Sequence, residues 1–153
     1  MGITVWGKLM LNDDVRKQVK DGLIRDEGGY HQFPYMDSRG FMTCGIGRNI
    51  QTKGISRSEA DIMLDNDIND TYTQLSHDFP WINALSDVRQ AVLINMAFNM
   101  GEEHLLAFTK TLGLIRLGRY NEGADEMLNS LWAKQVGNRA LRLSEMMRLD
   151  KFL

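Results

Sequence analysis

Val15, Val19 and Leu23 stand four apart and form one apolar stripe, which predicts a first helix over about 13–27. Asn12 occupies the N-cap position, and Asp13 and Asp14 suit the positive end of the helix dipole. Gly28 and Gly29 end the helix, because the left-handed residue that closes a helix is usually glycine. From Phe33 to Ile50 the pattern changes. Aromatic and β-branched residues, interrupted by Ser38-Arg39-Gly40, predict a short hairpin. Gly45 and Gly47 permit bends or a close backbone approach, but the third glycine and following helix of a dinucleotide site are missing.

Ser56-Arg57-Ser58-Glu59 has the spacing of a capping box and opens a helix running to about Ser76. Ala60, Met63, Leu64, Ile68, Tyr72 and Leu75 keep helical spacing on one face. The other face is polar except for Ile62, as suits a bridge between two lobes and equally an ordinary surface helix. Beyond Pro80 the periodicity predicts helices at about 86–100, 102–106, 109–117, 120–133 and 138–148, with Gly101, Gly118 and Gly137 at joints. Helix, hairpin, long helix and helical bundle make an α+β arrangement with its β part near the front.

Composition adds bounds. The 153 residues amount to one domain with room for two lobes, and the 43% apolar and 25% charged fractions are those of a soluble globular chain. The net charge of −2 gives no overall pull toward nucleic acid or acidic membranes. Charge is uneven, however. Residues 56–87 carry one Lys/Arg against seven Asp/Glu, while residues 104–153 carry eight against five. The basic residues are scattered and form no clustered base-reading face, so no nucleic-acid partner is expected. Cys44 is alone, which excludes an internal disulfide and suits a reducing compartment; it reads as a small packed hydrophobe. No apolar run has the length of a membrane span, and the first residues lack the order of a signal peptide, so neither anchoring nor self-directed export is expected. The ten Met and three Trp read as core filler.

Between Asp26 and Gly47, two carboxylates (Glu27 and Asp37) and a hydroxyl (Thr43) fall within 17 residues. Cleaving a glycosidic bond needs two carboxyl groups on opposite sides of that bond and no cofactor. Glu27 closes a helix, against the negative end of its dipole, a setting that favours a proton donor. Helical spacing alone does not prefer Glu27 to Asp26, which lies nearer the centre of the stripe. Asp37 is also an ordinary turn opener and Thr43 an ordinary strand residue. His31, His77 and His104 are far apart, and Glu102-Glu103-His104 diverge on a helix, so no metal site is expected.

The combination resembles the phage-type lysozyme family, glycoside hydrolase family 24. The family shows a helix ending in Glu-Gly, an Asp followed six residues later by Thr, and then Gly-x-Gly; here these are Glu27-Gly28, Asp37, Thr43 and Gly45-Ile46-Gly47. A second block, Val88-Arg89 and Ile94 through Glu102 followed by Phe108-Thr109, is similar to the family's central buried helix. Trp132 and Asn138-Arg139-Ala140 are similar to its C-terminal signature. The likeness runs in order over about residues 12–148. Two departures stand out. Nine residues separate Glu27 from Asp37 where the family usually has eight, which points to an insertion near Tyr30–Pro34. Arg48 stands where the family usually has His.

The resemblance implies a lysozyme-like, mainly helical fold: one domain over 1–153, with a β-containing lobe at 28–56, a connecting helix at 57–77 and a helical lobe at 78–153 on which helix 13–27 packs. It implies hydrolysis of the β-1,4 bond between N-acetylmuramic acid and N-acetylglucosamine in peptidoglycan, without cofactor or metal. Glu27 would be the general acid, and Asp37 with Thr43 would activate water, giving inversion. Phe98, Thr111 and Asn49 would contact substrate, Asn49 with a side chain unlike the family's usual one. Arg139 would approach Glu27, its charge favouring the ionised carboxylate while burial favours the neutral one. The implied role is a monomeric phage endolysin, held in the host cytoplasm until another protein opens the membrane. The competing reading is a lysozyme-like module that holds glycan or a virion partner without cutting, favoured only by the inserted residue.

Overall fold

The computed structural model describes residues 3–5 and 8–153, with side chains from Leu11 onward. Its contacts divide the chain into two compact units, residues 1–60 and 61–153. The long helix begins in the first and continues through the second.

In the first unit, β1 (Ile3–Val5) and β2 (Lys8–Met10) form an antiparallel ribbon that the sequence pattern does not predict. Helix α1 (Asp13–Asp26) starts as expected, with the Asn12 side chain accepting the Asp14 N–H at 2.9 Å. It ends at Glu27, whose N–H still reaches the Leu23 carbonyl, and Gly29 closes the end by bonding Ile24 O at 2.8 Å with a positive φ.

The predicted hairpin is a three-stranded antiparallel sheet in the order β3 (His31–Met36), β4 (Met42–Gly45), β5 (Arg48–Asn49). Its register is broken once. His31 pairs with Gly45 and Tyr35 with Thr43, so Gln32, Phe33 and Pro34 stand opposite the single residue Cys44. Proline cannot donate to a strand ladder and belongs at such a bulge. The Cys44 thiol lies beneath it, 3.7 and 3.6 Å from the carbonyl oxygens of His31 and Gln32. The bulge leaves two residues of β3 without partners on β4, and the pairs Tyr35–Thr43 and Met36–Met42 resume a regular register that leads directly into Asp37.

Helix α2 (Arg57–Asp78) opens with the predicted capping box: Ser56 Oγ accepts the Glu59 N–H at 3.2 Å, and Glu59 Oε2 accepts the Ser56 N–H at 2.7 Å. A 3-10 turn at Pro80–Ala84 follows, with proline at its start where no N–H is needed.

The second unit is helical: α3 (Asp87–Met100), α4 (Glu102–Leu106), α5 (Thr109–Arg116), α6 (Tyr120–Leu128), α7 (Leu131–Val136) and α8 (Asn138–Leu149). Val92, Leu93, Met96 and Ala97 bury one face of α3 in a core shared with Leu112, Ile115, Met127, Leu143 and Met147. Met96, Met127, Met146 and Met147 are core filler as expected, whereas Met36 and Met63 are exposed. The helix expected over 120–133 is two helices. Ser130 explains the break: its hydroxyl donates to Met127 O at 2.7 Å and accepts the Ala133 N–H at 3.0 Å, closing α6 and capping α7. The new helix carries Trp132 inward, where its Nε1 donates to Asn99 Oδ1 at 2.8 Å and its ring meets the edge of Phe108.

Candidate active site

Asp37 heads the turn between β3 and β4. Its carbonyl accepts the Gly40 N–H at 3.0 Å, and its N–H reaches Phe41 O at 2.9 Å. Its Oδ1 accepts the N–H groups of both Arg39 and Phe41 at 2.9 Å, and the Arg39 guanidinium stands 3.7 Å from Oδ2. The Phe41 N–H is the main reason this carboxyl is held below its ordinary value of 3.8; burial opposes it, and the Arg39 N–H and charge and the Thr43 hydroxyl add to the lowering. These contacts favour the ionised form of Asp37.

Thr43 lies on β4, the middle strand, opposite Tyr35 on one side and Asn49 on the other. It is buried, with 3% exposure, and its Oγ donates to Phe41 O at 3.1 Å. Asn49 is half-buried on β5, and its Oδ1 accepts the Thr52 N–H at 3.0 Å, so the amide nitrogen is the part of this side chain left for a ligand.

Glu27, not Asp26, is turned onto the sheet. Both side chains are exposed, and Asp26 sits 3.8 Å from Arg25. The Glu27 carboxyl instead lies against Gly47, in the turn between β4 and β5. A Cβ built on Gly47 would stand 2.6 Å from Glu27 Oε2 and 2.7 Å from its carboxyl carbon. Only glycine leaves room there, and a φ of 66° suits glycine as well. The sequence singled out Gly47 for bends or close approach; the neighbour that needs the space is legible only in three dimensions.

Arg48 was noted as a departure and assigned no role. Its guanidinium grips Glu59 with both nitrogens, Nη1 to Oε2 at 3.1 Å and Nη2 to Oε1, and Nη1 also donates to Gly54 O at 3.1 Å. Glu59 is held down at about 2, first by Arg48 and then by the Ser56 N–H.

In the second unit, Phe98 and Arg139 line one recess of about 430 Å3 together with Leu64, Ile68, Ile94 and Asn95. Phe98 is 47% exposed. Arg139 is held by Asn95, its Nε donating to Oδ1 at 2.9 Å and an Nη to the backbone oxygen at 3.4 Å. Thr111 lines a different recess, of about 750 Å3, with Asn99, Phe108, Lys110, Glu126 and Trp132. Glu27, Asp37, Thr43 and Asn49 thus belong to the first unit, and Phe98, Arg139 and Thr111 to the second.

Comparison with known proteins gives the same family that the motifs suggest. The phage lysozyme family model matches residues 25–147. Two proteins of Dictyostelium discoideum, described as probable T4-type lysozymes 1 and 2, are each 30% identical to the chain over 155 aligned positions, covering 82% of it and 90% of their own length.

Proposed function

The chain belongs to the phage lysozyme family and is a glycoside hydrolase of the lysozyme type acting on peptidoglycan, and from that premise we propose that Glu27 donates the proton while Asp37 activates the water. The observation that carries this reading is the seat of Glu27 on Gly47, in the turn after β4, the strand that carries Thr43 and is joined to β3 by the turn that carries Asp37. Glu27 protonates the leaving oxygen of the β-1,4 bond between N-acetylmuramic acid and N-acetylglucosamine. Asp37 Oδ2 takes a proton from water as it attacks the anomeric carbon, and Thr43 Oγ accepts the water's other hydrogen bond. Water attacks the face opposite the leaving group, so the product is inverted and the carboxyls stand about 6.5–9.5 Å apart when sugar is bound. Phe98, Thr111 and the Asn49 amide contact the glycan, and Arg139 is a supporting positive charge.

The test is the clearing of purified sacculi by wild type, Glu27→Gln and Asp37→Asn. Glu27→Gln keeps shape but loses the transferable proton, and a fall of at least about 100-fold is expected for each variant. Undiminished clearing by Glu27→Gln overturns the assignment. Proton NMR of the first-formed anomer tests inversion, and net retention would remove Asp37 from the role of base.

The biological role is endolysis: a monomer accumulates in the host cytoplasm and reaches the wall once another protein opens the membrane. The named relatives are proteins of Dictyostelium discoideum, so this part of the reading has its own test. Expression inside Gram-negative cells should lyse them only after the membrane is permeabilised, and lysis without permeabilisation would refute it. The competing reading, a module that binds glycan without cutting, predicts no clearing by wild type.

A further inference from the structure

We propose that Arg48 is a positioning residue for Glu27: by tying β5 to the first turn of α2 it fixes Gly47, the seat on which the Glu27 carboxyl rests. The inference depends on Glu27 being the proton donor and goes beyond it, because Arg48 touches neither substrate nor reacting atoms.

Glu27 stands at the end of a helix on a side chain with three rotatable bonds, so its oxygens are not placed by the backbone. A proton donor must be held within about 0.5 Å of its working position, which a neighbouring surface has to supply. Gly47 is that surface, with space for a carboxyl only while the backbone stays where it is. Gly47 is itself weakly held, in a two-residue turn between β4 and the very short strand β5.

The next residue supplies the restraint. Arg48 pairs with Cys44 through the sheet, and its planar guanidinium reaches out of the sheet to both oxygens of Glu59 and to the Gly54 carbonyl. A forked contact fixes orientation as well as distance, which a single point charge does not. Glu59 is in turn immobilised by its reciprocal bonds with Ser56 at the helix cap. The restraint therefore runs from the cap of α2 through Glu59 and Arg48 to Gly47, and from Gly47 to the Glu27 carboxyl. Arg48 is always charged and Glu59 is held at about 2, so both partners of the clamp are ionised at neutral pH.

The experiment measures hydrolysis of fluorescently labelled sacculi by wild type, Arg48→Ala, Arg48→Lys, Glu27→Gln and the Arg48→Ala/Glu27→Gln double variant. Each is assayed at a temperature where circular dichroism shows it fully folded. Arg48→Ala should lower kcat about tenfold, with KM within twofold, because a displaced catalytic group slows chemistry without weakening binding. Arg48→Lys should recover part of that loss, since it restores charge but not the fork. In the Glu27→Gln background, Arg48→Ala should cost nothing further, because residues acting through one group are not additive. An equal loss in both backgrounds, or an unchanged kcat in Arg48→Ala with only its melting temperature lowered, would overturn the proposal. Full activity of Glu27→Gln alone would instead overturn the catalytic assignment beneath it.

Discussion

Gly47 is where a single hydrogen in place of a methyl group decides the geometry of the site. Gly45 provides its control, because the two share a positive φ, 68° and 66°, while a Cβ on Gly45 meets nothing within 4 Å. Gly45→Ala and Gly47→Ala both strain the backbone, by about 1 kcal/mol, but only the second pushes the Glu27 carboxyl aside. Gly47→Ala should therefore lose at least about tenfold more activity than Gly45→Ala at similar melting temperature, as sacculus clearing and thermal denaturation will show. Asp37 gives a second expectation at this scale. Its folded-state value lies below 3.8, so the ionised form is the one the turn stabilises. The stabilisation is present above the unfolded value and is lost as pH falls through the lower, folded one. A carbon-13 titration of the Asp37 carboxyl should give a midpoint under 3.8, and a midpoint above it would show that the Phe41 and Arg39 amides do not hold the charge.

The elements show which features of the chain are local and which are not. Helix α1, the capping box of α2 and the turn at Asp37 could be read directly because each is specified by residues within four positions of one another. The bulge in β3 could not, since it depends on what lies opposite, although Pro34 marks the place. The split of α6 from α7 was also missed. Met127, Leu128, Leu131 and Trp132 carry apolar residues across Asn129 and Ser130, and only the paired hydrogen bonds of the Ser130 hydroxyl reveal a cap. Removing that cap with Ser130→Ala should cost about 1 kcal/mol in chemical denaturation. It should also disturb Trp132, which α7 delivers to Asn99, as a change in tryptophan fluorescence. The catalytic candidates were legible as a motif, but the seat of Glu27 and the grip of Arg48 on Glu59 join residues 20 and 11 positions apart and had no signature in spacing.

Across the molecule, the core and the chemistry are distributed differently. The second unit carries the continuous apolar core around α3 and α8, with Leu93 and Leu143 fully buried. Among the described side chains of the first unit, Thr43 alone is buried. Leu93→Ala should cost about 2–5 kcal/mol in urea unfolding, whereas Leu131→Ala, at a position 70% exposed, should stay within about 0.5 kcal/mol. Amide exchange should be slowest in α3 and α8 and faster in the sheet, because openings that expose little apolar surface are the least costly. The donor and the base have another property in common: both are carried by the same stretch of fewer than fifty residues. The spacing of the two candidate carboxyls is thus an affair of the first unit alone, carried by α1 and the turns of a small three-stranded sheet rather than by the apolar core of the helices.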